Sequence, residues 1–95
     1  MDSIKRNIDG SIRASISMAT AEKLNRYTPK GCPFNGYTLL DLLRDFISAY
    51  SWKIARGDTI SVNAFIRILQ HEGYAHALSY GDDIISLLKV DNNEK

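Results

Sequence analysis

The sequence predicts a mainly α chain with one N-terminal strand that pairs across a dimer, followed by a C-terminal helical extension. Three observations carry this expectation. Ser11–Ile16 alternates strictly, with Ile12, Ala14 and Ile16 on one side and Ser11, Arg13 and Ser15 on the other. Period two over that length marks a half-buried strand. No hairpin partner is recognisable after it, so its edges need another chain. Residues 39–56 form a helix that is apolar on almost every side, more than a chain of 95 residues is expected to cover alone.

The elements follow in order. Residues 1–10 are polar and basic, end at Gly10 and are expected to form a flexible arm. Ser17 is placed to cap a short helix from Met18, since its hydroxyl can accept from an unpaired N–H of the first turn. Ala19, Ala21, Glu22, Lys23 and Leu24 favour that helix. It must stop before Pro29, because a residue preceding proline avoids the α region. Residues 28–37, with two prolines, two glycines and an Asn-Gly pair, read as loop.

Thr38 then caps the long helix, which Gly57 ends. Leu39, Leu43, Phe46 and Tyr50 share one stripe of it, and Leu40, Ile47 and Ile54 the next. Leu42, Ala49 and Trp52 widen the apolar surface, which points to self-association. Residues 58–60 are a link. Residues 62–72 form an amphipathic helix with Val62, Phe65, Ile66 and Leu69 inward, closed by Gly73. Residues 74–90 are open between a short helix begun by Asp82 and Asp83 and a hairpin turning at Gly81. Residues 91–95 read as a frayed tail. The chain thus divides into a basic arm at 1–10, a core at 11–57 and an extension at 58–95.

Charge narrows the function classes. The chain carries 12 basic and 11 acidic side chains, for a net charge of +1. The balance is +3 over residues 1–30, zero over 31–60 and −2 over 61–95. A basic start suits a nucleic-acid-facing segment, and the acidic end argues against DNA contact there. No run of apolar residues is long enough to span a bilayer, and Met1 to Gly10 is mixed polar and charged with no apolar stretch, so a secretory leader is not expected. The single cysteine, Cys32, excludes an internal disulfide and suits a reducing cytoplasm.

Candidate chemistry is sparse. His71 and His76 are five apart, whereas helical metal pairs prefer three or four. Cys32 has no histidine near it in sequence, and Asp41 and Asp45 read as the solvated rim of a helix. No phosphate-loop, nucleophile-elbow or zinc-protease motif occurs. An enzyme, a metal and a cofactor are therefore not expected. A helix-turn-helix over residues 59–80 is disfavoured because its second helix lacks Lys and Arg.

The order of arm, alternating strand SIRASIS, short helix MATAEKLNRY, loop TPKGCPFNGY and long helix TLLDLLRDFISAY, Ser11 to Tyr50, resembles the ribbon-helix-helix family of DNA-binding repressors, such as the Arc, CopG and antitoxin proteins. The loop is longer than that family's and carries two prolines. The resemblance implies a homodimer whose two strands form an antiparallel ribbon in the DNA major groove, acting as a repressor or antitoxin-like regulator. It places Ser11, Arg13 and Ser15 at base-reading positions, with Arg13 able to pair with guanine O6 and N7. It makes Tyr37 and Thr38 the phosphate anchor, with Lys5 and Arg6 adding phosphate contacts. Ile12, Ile16, Leu39, Leu43, Phe46, Ile47 and Tyr50 become the dimer core. Residues 58–95 are then expected to pack on the dimer, to build tetramers or to hold a protein partner. The runner-up is a small helical phage- or plasmid-type protein that binds and inhibits or adapts a host protein, with Trp52 and the tyrosines as interface anchors.

Overall fold

The computed structural model describes residues 2–90. Among them the chain forms β1 (Ser3–Arg6), β2 (Ile12–Ser15), α1 (Met18–Arg26), α2 (Leu39–Tyr50), a 3-10 turn (Ser51–Lys53), β3 (Thr59–Ser61), α3 (Val62–Glu72), α4 (Tyr74–Ser79) and α5 (Gly81–Leu88). The strands make one antiparallel sheet in the order β2-β1-β3. The fold is therefore α+β, which corrects the expected mainly α chain with one strand paired across a dimer.

The correction begins at the N-terminus. Residues 3–6 are not a free arm: Ile4 is 2% exposed and β1 is the central strand. It turns back into β2 through a three-residue loop, Ile8–Gly10, with Gly10 N donating to Asn7 O and Asn7 N to Ser11 O. Gly10 sits at φ +93°, which a residue with a Cβ rarely adopts, so the turn depends on glycine there. The register pairs Ser3 with Ser15, Ile4 with Ala14, Lys5 with Arg13 and Arg6 with Ile12. The strand at 12–15 thus finds its partner within its own chain. Residues 59–61 overlap the link expected at 58–60 and pair with the other side of β1, Ile4 opposite Ile60. The sheet joins all three of the expected divisions.

The helices begin where side chains satisfy their unpaired N–H groups. Ser17 Oγ accepts from Thr20 N, and Ser61 Oγ from Ala64 N. Thr38 and Asp41 form a reciprocal capping box at α2. The α-helix ends at Tyr50, short of the expected 56, and tightens into the 3-10 turn.

The chain itself covers the apolar faces of α2. That helix packs against α1, α4 and α5, and Phe46 meets Phe65 of α3 with ring centroids 5.5 Å apart. Leu39, Leu42 and Phe46 are fully buried and Leu43 nearly so. Leu39 and Phe46, expected in a dimer core, thus belong to the protomer's own core. Tyr50 is half-buried, and its hydroxyl donates to Leu78 O. Its ring lies where a Cβ on Gly81 would sit, so Gly81 lets α5 approach α2. Residues 74–90 are therefore two helices ending in a bridge of Lys89 to Ile60, and Gly81 is no hairpin turn. The tail at 91–95 lies outside the described residues.

The long loop between α1 and α2 has its own anchor. Phe34, Tyr37 and Tyr74 pack mutually edge-on or tilted, with centroids 5.4–6.0 Å apart. Lys30 O accepts from Tyr74 N. The loop is therefore docked on the α3–α4 corner.

Candidate nucleic-acid interface

Alternation along the strands divides the sheet into two unlike faces. Directly opposed residues share a face, so Lys5, Arg13 and Thr59 form one row on the outer side. Ser3, Ser15 and Ser61 form the next. Ile4, Ala14 and Ile60 form a row on the inner side, toward the helices. The outer face is thus four hydroxyls and two cations. Lys5, Arg13 and Ser15 are exposed, while Ser3, Thr59 and Ser61 are half-buried.

Two cations stand directly opposed on the outer face. Like charges placed directly opposite on a sheet repel. Lys5 and Arg13 are so placed, and among the described residues neither forms an ion pair. Two cations elsewhere are matched, Lys53 at 3.3 Å from Asp82 and Lys89 at 3.0 Å from Asp58.

The sequence-derived site residues are dispersed. Arg13 and Ser15 lie on the outer face with Lys5. Ser11 is at the turn, where its N–H and hydroxyl both donate to Asp9 Oδ1, at 2.9 and 2.6 Å. These bonds hold the Asp9 carboxyl below its ordinary pKa. Arg6 points inward, and its guanidinium donates to the carbonyls of Trp52 (3.2 Å) and Ile54 (3.0 Å). It fastens the sheet to the chain after α2 and is not free for a phosphate.

Tyr37 and Thr38 stand at the start of α2, on the inner side of the sheet, so they do not join Arg13 in one surface. The Tyr37 hydroxyl donates to Asp45 at 2.6 Å; burial first, and then that bond, push its pKa well up. Thr38 is occupied by its capping box. Trp52 is 63% exposed, with Lys53 Nζ 4.4 Å from its ring centroid.

The chain has no match among family models, curated proteins or solved structures.

Sequence reading missed Ser3, Thr59 and Ser61, which complete the outer face. The signal for the first was Asp9-Gly10, a common hairpin pair just ahead of the alternating run. The other two lie on a strand of three residues, too short to show a period. Among the described residues no group of three potential metal ligands occurs.

The inner face holds a second feature. Where β2 overhangs the helices, Ile4, Ile12, Ala14 and Ile16 face Leu40, Leu43 and Ile47 of α2 across an open groove of about 420 Å³, with Arg44 and Ser48 at its rim. Four of the expected dimer-core residues, Ile12, Ile16, Leu43 and Ile47, line it. Ile12 remains 38% exposed.

Proposed function

We propose that the chain binds duplex DNA through the outer face of its sheet, as a transcription regulator. The supporting observation is the Lys5–Arg13 pair, two opposed cations on an open strand surface with no carboxylate partner among the described residues. A polyanion supplies what the fold omits: phosphate oxygens relieve the repulsion, and the guanidinium can take a bidentate contact. The flanking Ser3, Ser15 and Thr59 hydroxyls donate or accept as the groove requires. Reading is by a sheet face in the major groove, with Lys5 on phosphate and Arg13 and Ser15 toward base edges. Such a role places the chain in the cytoplasm, with DNA.

One phosphate contact per protomer, through Lys5, sets a weak salt dependence. The slope of log K against log salt is about −1 per protomer, and double that for a dimer. The test is fluorescence anisotropy with duplex DNA selected from a random pool, between about 50 and 200 mM salt. Lys5→Ala is expected to flatten the slope by about 1 on every sequence. Arg13→Ala is expected to weaken the selected site by about 1–3 kcal/mol and to relax its specificity. Equal affinity of wild type and the Lys5→Ala/Arg13→Ala double variant at low salt would overturn the reading.

A further inference from the structure

Strand β2 has one bonded edge and one bare edge. Asn7 N donates to Ser11 O, so those two form a hydrogen-bonded pair. The antiparallel ladder alternates, which makes Lys5–Arg13 and Ser3–Ser15 bonded pairs too. Arg6 agrees, because its N–H and C=O turn the other way, to Asp58 O and Gly57 N. The N–H and C=O groups of Ile12, Ala14 and Ile16 therefore point away from β1. Among the described residues no backbone group bonds to them. Beneath that bare edge lies the groove of Ile4, Ile12, Ile16, Leu40, Leu43 and Ile47. An unpaired edge over an apolar groove is a template for another strand.

We infer that the occupant is a second copy of this chain, joined β2 to β2 by a twofold axis at Ala14, so that two three-stranded sheets become one of six strands. The register decides for a second copy. An antiparallel pair centred on Ala14 sets Ala14 opposite Ala14 and Ile12 opposite Ile16 on both sides of the axis. These are the residues whose backbone groups point outward, so the bare edge is satisfied from Ile12 through Ile16. On the inner face Ile12 and Ile16 close over the groove. On the outer face Arg13 meets Ser15 and never its own mate. Centring on Arg13 would oppose the two guanidiniums and bond fewer outward groups. A shift by one residue would put apolar side chains of one copy beside the polar face of the other. Centring on Ser15 would set Ile12 opposite Met18, which already belongs to α1, so the Ala14 register bonds the most outward groups. This is a continuous sheet of two complete protomers and not a two-stranded ribbon. The dimer stands on the edge and the groove, independently of DNA binding, and it sets two Lys5–Arg13 pairs side by side.

The experiment is light scattering of the full chain across micromolar concentrations. The expected mass is twice 10.7 kDa. Ala14→Pro removes an outward N–H without touching the β1–β2 ladder, and Ile47→Glu places a carboxylate in the groove. Both are expected to give monomers with unchanged far-UV circular dichroism. A positional readout guards against misfolding. In a Cys32→Ser background, Ala14→Cys is expected to form a disulfide-linked dimer on mild oxidation, since opposed Cα atoms of a bonded pair lie about 5.5 Å apart. Ser11→Cys, opposite Ser17 in this register, is expected not to cross-link. A 10.7 kDa species at every concentration would overturn the inference. So would a dimer that survives both Ala14→Pro and Ile47→Glu, or equal cross-linking through positions 11 and 14. A dimer that ignores DNA would leave this inference standing and remove the proposed function. A monomer with the expected salt slope would do the reverse.

Discussion

Along β3, Val90 N donates to Thr59 O at 2.9 Å, Lys89 bridges to Ile60, and the Lys89 ammonium sits 3.0 Å from Asp58. Along β2 the outward groups of Ile12, Ala14 and Ile16 meet nothing of their own chain among the described residues. The same sheet is closed on one side and open on the other. Two residues of chain after α5 suffice to close the β3 edge. The difference teaches where a further strand can add: at β2, which has no such cover among the described residues. With one edge closed, pairing through the other stops at two copies and cannot run on as a fibre.

The largest expected effect sharpens this contrast in stability. Ile60 on the closed side is 1% exposed and Ile12 on the open side is 38% exposed. Ile60→Ala is expected to cost about 2–5 kcal/mol, because it removes buried methyl groups and leaves a cavity. Ile12→Ala, measured in the monomeric Ala14→Pro background, is expected to cost less than about 1.5 kcal/mol. Urea unfolding of the two variants checks this. Equal costs would mean that the open side is as well packed as the closed one.

The neighbouring cations Arg6 and Lys5 separate structure from surface. Arg6 donates to two carbonyls beyond α2, whereas Lys5 faces solvent opposite Arg13. Arg6→Ala is expected to destabilise by about 1–3 kcal/mol, the usual range for losing hydrogen bonds to a charged group. Lys5→Ala is expected to change stability by under about 0.5 kcal/mol. Thermal unfolding reads stability, and DNA titration of the same variants reads the salt slope.

How much of this was legible in sequence depended on element length. Residues 62–72 and the caps Ser17 and Thr38 were readable, because a helix of three turns repeats its apolar spacing and a capping oxygen is a local device. Strand β1, four residues with two cations, shows no period, and β3 is shorter still. Missing them left residues 12–15 without a partner and made a second chain seem obligatory. The apolar girth of α2 was read the same way. In fact α1, α4, α5 and Phe65 cover it, and only Leu40, Leu43 and Ile47 remain beside the groove. Four residues of the dimer expectation, Ile12, Ile16, Leu43 and Ile47, line the groove. The alternation of Ser11–Ile16 does carry a strand, but all four residues of β2 are exposed instead of half-buried, because its apolar side faces the open groove and not a packed layer.

Acid sharpens the comparison from the β2 side. Asp2, just before β1, accepts from the Thr20 hydroxyl at 2.5 Å and from Ser17 N at 2.6 Å. It ties the start of the sheet to the start of α1, where β2 leads. The Thr20 bond first, then the Ser17 bond, hold its pKa below the ordinary 3.8. A folded pKa below the unfolded one gives stabilisation that is full above pH 3.8 and is lost as pH falls through the folded value. Asp2→Asn is expected to lower the melting temperature at neutral pH and to flatten its decline below about pH 4. Parallel melting curves for the two proteins down to low pH would show that the clamp contributes nothing.

The smallest expected effect concerns what closes the β3 edge. The Lys89–Asp58 pair is the conspicuous contact there, but the Lys89 side chain is 55% exposed, and exposed ion pairs are worth about 0–1 kcal/mol. Lys89→Ala is therefore expected to leave stability within about 0.5 kcal/mol and to leave the molecule a dimer. The backbone bond from Val90 to Thr59 and the burial of Leu88 do not need the ammonium. Hydrogen exchange at the Val90 amide decides between the two causes. Protection retained in Lys89→Ala assigns the closed edge to backbone pairing. Protection lost, with higher oligomers appearing, would assign it to the side-chain charge, and the two edges would then differ by one ion pair.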